Sequence, residues 1–206
     1  MYDNVIKFSW PSEDYATFQN SMITGIRSSK DKISLLNTMN RKFPASPLVT
    51  DANMEIANTY MADEKFGEAI PYLNNVIKSS GNASLKPQAY LKLGTAYYNL
   101  NNNAEALKQY NTLIAQYASS PEAEDALDNV KVIYIEQGKP DEYAAFMRKA
   151  GKPISMDTED SLTYAASENQ LVNGNTAAAL TSLNNYRQKF PDGVYANDAS
   201  FYIGEI

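Results

Sequence analysis

Apolar side chains recur at helical spacing in residues 87–121, where a short polar turn separates two stripes. Steps of three and four residues place each stripe on one face of an amphipathic helix. The first stripe consists of Tyr90, Leu93, Tyr97 and Leu100. The second stripe consists of Ala106, Tyr110, Leu113 and Tyr117. The pattern predicts two antiparallel helices, with Gly94 and Ala106 small where the helices must approach closely.

The same layout returns along the chain with a period of about 37 residues. An aromatic residue is followed eight places later by an acid and then by Ala. These trios are Phe43/Asp51/Ala52, Tyr117/Asp125/Ala126 and Phe190/Asp198/Ala199. One slot of the first helix recurs in phase at Ala57, Gly94, Lys131, Ser167 and Gly204. The periodicity favours an array of helix pairs over an irregular bundle.

These slots resemble the tetratricopeptide repeat, whose units usually span about 34 residues. The slots of the family pattern are occupied here by Tyr90, Leu93, Gly94, Tyr97, Asn101, Ala106, Tyr110 and Leu113. The resemblance covers nearly the whole chain from about residue 12. It implies an all-α, right-handed superhelical solenoid of antiparallel helix pairs. We expect about five repeats of 36–37 residues, the last one incomplete.

Departures from the pattern suggest the domain organisation. Residues 1–150 are predicted to hold repeats one to four, the first atypical because Lys32 stands at a small-residue slot, and the fourth with a shortened second helix. Glu64 at a turn-glycine slot suggests a different turn geometry in the second repeat. Segment 151–160 is predicted as a loop or hinge, with Asp157 or Thr158 capping the next helix. Residues 161–206 would hold the fifth repeat and an unpaired first helix of the next.

The composition removes several classes of chemistry. Eighteen Lys and Arg against 24 Asp and Glu give a net charge of −6, which disfavours nucleic-acid binding. The chain has no Cys and no His, so thiolate catalysis, Ser-His-Asp catalysis and Cys or His metal sites are unavailable. No apolar run is long enough for a membrane span. We therefore expect no catalytic residues, no cofactor, no metal and no direct membrane insertion.

The family resemblance implies that first helices line a concave surface where partners bind. The candidate partner-binding residues there are Asp51, Asn58, Met61, Thr95, Tyr98, Asn99, Asp125, Asp128, Ile135 and Glu136. Met54 is predicted to share this face. Positions 121–142 hold seven acids against two lysines, so a protein or peptide partner with basic residues would complement them. The alternative is a solvated face that binds no partner.

The sequence thus predicts a noncatalytic protein–protein interaction scaffold. A rival hypothesis is the support region of a carboxylate-using or sugar-handling enzyme, which a strongly raised pKa of Asp125, Asp128 or Glu136 would favour. A cytosolic adaptor is a third reading of the same fold and differs from the first in compartment.

The closing motif points to a compartment. Phe190-Pro191, a Gly-containing loop and Asp-Ala-x-Phe-Tyr-x-Gly-Glu (198–205) are similar to repeat proteins of bacterial envelopes, above all those of Bacteroidetes. The resemblance implies an excerpt from a longer periplasmic or envelope protein. Because one helix cannot bury its apolar face alone, the last helix would be covered by further chain or by dimerisation.

Overall fold

A computed structural model describes residues 13–206, which contain eleven α-helices, one short 3₁₀ turn and no strand. Residues 1–12, where the first repeat was predicted to start, lie outside the described part. The predicted all-α fold class is confirmed. The chain divides into two compact units, with the boundary between Glu124 and Asp125.

The first unit consists of three helix hairpins. Its helices are α1 Glu13–Gly25, α2 Ser29–Lys42, α3 Val49–Ala62, α4 Phe66–Lys78, α5 Lys86–Asn99 and α6 Asn103–Gln116, with the 3₁₀ turn Ala83–Leu85 ahead of α5. Helices α1 and α2, α3 and α4, and α5 and α6 pack as pairs. Helices α2 and α3, and α4 and α5, join neighbouring pairs.

Two apolar clusters hold these hairpins together. Leu36 and Met39 of α2 pack with Ala52 and Ile56 of α3. The second cluster draws on α3, α4 and α5 and consists of Met54, Ala57, Ala69, Leu73, Val76, Ala89 and Leu93. Because each cluster contains residues of successive repeats, no repeat buries its apolar face by itself.

The turns inside the second and third repeats have the same backbone conformation. Asn101 has φ 59° and Glu64 has φ 56°, both in the left-handed region. In both turns the next N–H donates to a carbonyl five residues earlier, Lys65 to Tyr60 at 2.8 Å and Asn102 to Tyr97 at 2.9 Å. The expectation of a different geometry at Glu64 is therefore wrong, because the hairpin requires the same turn whatever residue occupies it.

Lys32, the departure in the first repeat, forms an ion pair between repeats. Its Nζ lies 2.7 Å from Glu55 Oε2 on α3, and the two side chains are 14% and 25% exposed. Gly25 leaves room for the lysine stem, since a Cβ there would lie 2.6 Å from Lys32 Cδ. A slot that holds Ala69, Ala106 and Ala179 in three other repeats thus holds a long side chain here, which links the first hairpin to the second.

The second unit begins within α7, Pro121–Glu136, and continues with α8 Pro140–Lys149, α9 Met156–Val172, α10 Thr176–Lys189 and α11 Ala196–Glu205. Helix α8 has 10 residues, against 14 in α10. It ends before Gly151, which has φ 74°.

The segment between α8 and α9 is shorter than the predicted loop 151–160. Only residues 150–155 are non-helical, because α9 begins at Met156. The cap is Ser155, whose Oγ accepts a hydrogen bond from Thr158 N at 3.2 Å, so the assignment of the cap to Asp157 or Thr158 is wrong. A hinge in this segment stays a prediction.

A buried polar network fixes the approach to α11. Asp160, 5% exposed, accepts hydrogen bonds from Tyr186 Oη at 2.5 Å and from Val194 N at 2.9 Å. Tyr186 Oη in turn accepts from Tyr195 N at 3.1 Å. A Cβ at Gly193 would lie 2.6 Å from Tyr186 Oη, so this close approach needs glycine.

Helix α11 buries one face and exposes the other. Ala199 is fully buried in a cluster with Leu183, Tyr186 and Phe190 of the preceding hairpin, whereas Phe201 is 62% exposed. The ring of Phe201 therefore forms an apolar surface on the exposed face of α11.

Candidate functional site

Helix α5 separates its buried and accessible residues by face. Leu93 and Ala96 are buried in the core, whereas Thr95 and Tyr98 are partly accessible and Asn99 is exposed. The three accessible residues are the candidates that the repeat pattern selects in this helix. The helix therefore presents an aromatic ring and two polar groups on a surface outside the core.

Two polar side chains of this face donate hydrogen bonds to backbone carbonyls of their own helix. Thr95 Oγ1 donates to Leu91 O at 3.0 Å and lies 3.3 Å from Tyr110 Oη, and Asn99 Nδ2 donates to Thr95 O at 2.9 Å. Burial raises the pKa of the Tyr110 phenol, so this hydroxyl keeps its proton in mildly alkaline solution as well as at neutral pH. The Tyr98 ring is the largest side chain among the three candidates here.

The corresponding face of α3 is more deeply packed. Asn58 Nδ2 lies 3.5 Å from Glu55 Oε1, whereas Asn58 Oδ1 is buried with no hydrogen-bond partner in residues 13–206. Met61 is half-buried against the cluster of α3, α4 and α5. Met54 is 3% exposed in the same cluster, so its predicted place on the partner-binding face is wrong.

Asp51, near the start of α3, forms a hydrogen bond with the loop between α4 and α5. Its Oδ1 accepts a hydrogen bond from Asn82 Nδ2 at 3.0 Å, and Asn82 precedes the 3₁₀ turn that leads into α5. Asp51 is partly accessible. This carboxylate therefore has a structural role in addition to its predicted place on the surface.

The four remaining candidates form a separate group on α7 in the second unit. Asp125, Asp128 and Glu136 are exposed, and Ile135 is half-buried. Asp128 Oδ1 lies 3.3 Å from Lys131 Nζ, an i,i+3 pair open to solvent. Pairs of this kind add little stability, so Asp128 loses little if another cation replaces Lys131.

Sequence reasoning missed a polar cleft of about 840 Å³ in the first unit. Helices α2 and α4 form its walls, and the first turns of α3 contribute to it. Its lining includes Asn37, Asn40, Asn53, Asn75, Arg41 and Lys78. One sequence feature could have indicated the cleft. Arg41 and Lys78 are 37 residues apart, which equals the repeat period, so stacked repeats place a cation at the same position in two successive second helices.

Residues 13–206 lack two further kinds of feature. None of its helices combines the length and the apolar character that crossing a membrane requires. No group of three or more acids in the same range is placed to hold a metal ion.

Comparison with known families gives one match, between the sequence model of the tetratricopeptide repeat and residues 54–121. These residues extend from Met54, within α3, to Pro121, the first residue of α7, and cover most of the second hairpin and all of the third. No curated protein sequence matches the chain.

Solved structures match over a longer range. The chain is similar to YrrB, described as a tetratricopeptide repeat protein with an unusual peptide-binding site, at a TM-score of 0.57 and 13% identity over 97% of both chains. A variant of a putative kinesin light chain from Podospora anserina with tetratricopeptide-like repeats matches at a TM-score of 0.52 and 15% identity, covering 87% of this chain and 95% of that one. A Cytophaga hutchinsonii repeat protein matches at 0.49 and 14% identity, covering 94% and 68%. At these identities the first two likenesses concern the fold.

Proposed function

We propose that the chain, whose residues 54–121 match the tetratricopeptide repeat model, is a noncatalytic interaction scaffold whose first helices bind a peptide segment of a partner. The observation that carries the proposal is the divided surface of α5, which buries Leu93 and leaves Thr95, Tyr98 and Asn99 accessible. An aromatic anchor beside polar groups supplies contact area and hydrogen bonds at a small cost in side-chain entropy.

The acidic group on α7 supports a partner with basic residues. Asp125, Asp128 and Glu136 are exposed carboxylates in a chain of net charge −6. Opposite charges steer association and select among partners, and salt screens the attraction between exposed groups. The proposal therefore includes a peptide with Lys or Arg as the ligand of this group.

The experiment is a selection of twelve-residue peptides from a random display library against the whole chain. Enriched peptides are then titrated by fluorescence anisotropy against two double variants. Tyr98→Ala with Asn99→Ala should weaken binding about tenfold, because a central aromatic anchor contributes roughly 1–3 kcal/mol. Asn111→Ala with Gln116→Ala, at two exposed positions of the second helix α6, should leave binding unchanged.

Charge reversal tests the preference for basic partners. Asp125→Lys, Asp128→Lys and Glu136→Lys together should weaken basic peptides, and the effect should shrink in high salt. The melting temperature should change little, because these side chains are exposed. Equal binding of all variants would contradict the proposed surface. Unchanged binding in the charge-reversed chain alone would identify the acids as a solvated face.

We also propose a bacterial envelope location, with the chain as part of a longer periplasmic protein. The support is the closing motif, Phe190-Pro191 followed by residues 198–205. An immunoblot of fractionated source cells tests it. The expected band lies in the envelope fraction, well above 22.9 kDa. A cytoplasmic band near that mass would contradict the proposal.

A contact between copies through α11 is the alternative to its being covered by further chain. Phe201 is 62% exposed on a helix whose other face is packed. Light scattering after size exclusion should show concentration-dependent dimers of this chain, and Phe201→Ser should abolish them. A monomer at high concentration would contradict the dimer.

A further inference from the structure

We propose that the cleft between α2 and α4 is a second binding site, which takes an extended peptide segment that carries carboxylates. The cleft lies within the first unit and is lined by second helices and the first turns of α3. None of the ten candidate residues of the first-helix surface lines it. The inference therefore stands independently of the proposed scaffold surface.

The charge of the lining favours an anion. Arg41 and Lys78 line the cleft together with polar and apolar residues, and no Asp or Glu is among its lining residues. Lys78 forms no ion pair within residues 13–206, and the Arg41 Nη2 group donates to the Thr38 hydroxyl at 3.2 Å. Two cations without carboxylate partners are thus concentrated at one cleft of a chain whose net charge is −6. Carboxylates form strong, charge-assisted hydrogen bonds with such groups.

The amides of the lining favour a polypeptide backbone. Each Asn side chain can donate and accept, so Asn37, Asn40 and Asn75 can pair with the alternating N–H and C=O groups of an extended chain. Asn40 Oδ1 is buried without a partner in the described residues, and Asn40 Nδ2 makes a long contact of 3.4 Å with Asn53 Oδ1. A rotation of the Asn40 amide toward the cleft would present this acceptor to a bound N–H.

The dimensions fit a short segment. From Ser34 to Arg41 the α2 wall rises about 10 Å, which matches roughly three extended residues at about 3.3 Å each. A volume of about 840 Å³ lies within the range of ligand sites. The aromatic residue of the lining, Tyr72, packs on Tyr60 at 5.8 Å between ring centroids and donates to Asn37 Oδ1 at 3.3 Å. The ring of Tyr72 is occupied by these contacts, so it is not available to stack on a sugar. Arg41 and Lys78 have no carboxylate partner in residues 13–206 and can pair with the acids of a peptide, so a peptide fits better than an oligosaccharide.

The test titrates the ¹⁵N-labelled full chain with the blocked peptide acetyl-Glu-Ser-Glu-Ser-Glu-amide. We expect saturable shifts of the side-chain amide signals of Asn37, Asn40 and Asn75. The Gln-for-Glu peptide should bind at least tenfold more weakly. Arg41→Glu with Lys78→Glu should weaken the acidic peptide by a similar factor.

Matched variants separate the cleft from general charge and from the first-helix surface. Arg27→Glu with Lys30→Glu makes the same charge change at exposed positions outside the lining and should leave binding intact. Tyr98→Ala with Asn99→Ala should also leave it intact. Asn75→Ala removes one cleft amide at an exposed position without reversing a charge, and it should also weaken binding of the acidic peptide. The test therefore does not depend on whether the charge-reversed chain folds.

Four outcomes would overturn the inference. The first is no saturable shift of the cleft amides. The second is equal loss in both charge-reversed chains, which indicates nonspecific attraction. The third is displacement of the peptide by inorganic phosphate at equal concentration, which indicates a small-anion site. The fourth is that maltotetraose, but not the acidic peptide, shifts the cleft amides.

Discussion

At the scale of single residues, four of the hairpin turns, those after α3, α5, α7 and α9, impose a left-handed backbone conformation on one residue. Gly138 and Gly174 adopt it with φ 67° and 74°, and Asn101 adopts it with φ 59°. Glu64 also adopts it, with φ 56°. For a residue with a Cβ the left-handed region costs roughly 1–2 kcal/mol, and Asn tolerates it better than Glu. Glu64 is therefore a local defect that the surrounding helices maintain.

Replacing Glu64 by glycine should stabilise the protein. Glu64→Gly is expected to raise the free energy of unfolding by about 1 kcal/mol, because the turn strain disappears while glycine adds some entropy to the unfolded chain. Urea denaturation followed by circular dichroism measures the change. Gly174→Ala, the reverse substitution at the equivalent turn, should lower stability by a similar amount. A destabilised Glu64→Gly chain would refute the assignment of strain.

At the scale of helices, small residues set how closely the two members of a hairpin approach. Gly94 of α5 lies against the ring of Tyr110 on α6, and a Cβ at Gly94 would clash with that ring. Tyr110 is 1% exposed, so the ring has little room to move. Gly67, in the first turn of α4, has no neighbouring atom near the position of a Cβ. One glycine is thus required by packing and the other is not.

The two glycines should respond oppositely to the same substitution. Gly94→Ala is expected to cost about 1–3 kcal/mol through overpacking. Gly67→Ala should add about 0.5–1 kcal/mol, because alanine favours the helix over glycine. Thermal and urea unfolding of both variants beside the parent chain measures the difference. Equal effects of the two substitutions would show that the α5–α6 contact is not tight.

At the scale of the whole molecule, buried tyrosines link stability to alkaline pH. Burial, followed by the charge of Glu168, raises the pKa of Tyr164 to about 12. Burial and the hydrogen bond to Asp160 raise the pKa of Tyr186 to about 12. Burial also raises the pKa of Tyr110 and Tyr143. The folded protein therefore keeps phenolic protons that the unfolded chain releases near pH 10.

Because the folded pKa is raised, this stabilisation is complete below pH 10 and is lost as the pH rises toward 12. The free energy of unfolding should fall by about 1.4 kcal/mol per pH unit for each tyrosine that is protonated only in the folded state. Urea titrations at pH 9, 10 and 11 measure the slope. Tyr164→Phe should make the slope shallower, since one titrating group is removed. An identical slope in the parent chain and the variant would exclude Tyr164 as a source.

Sequence patterns predicted some of these features and not others, for reasons visible at particular residues. The spacing of Tyr90, Leu93 and Tyr97 predicted the apolar face of α5, because helical periodicity is a local property of the chain. The same reasoning placed Met54 on the partner-binding surface, although a neighbouring repeat covers it. The candidates on α5 and α7 are accessible in the structure, and their partner-binding role stays a prediction.

The sequence by itself determined the all-α class and the helix pairs, because apolar spacing and a period of about 37 residues are written along the chain. The tertiary structure alone decided how exceptional residues are accommodated. Lys32 forms an ion pair with Glu55, and Asp160 accepts a hydrogen bond from Tyr186. The partners are too far apart in the sequence for a local pattern to predict either contact. The cleft with Arg41 and Lys78 likewise exists because separate repeats stack against each other. Such sites depend on packing between repeats, whereas helices depend mainly on their own spacing of apolar residues.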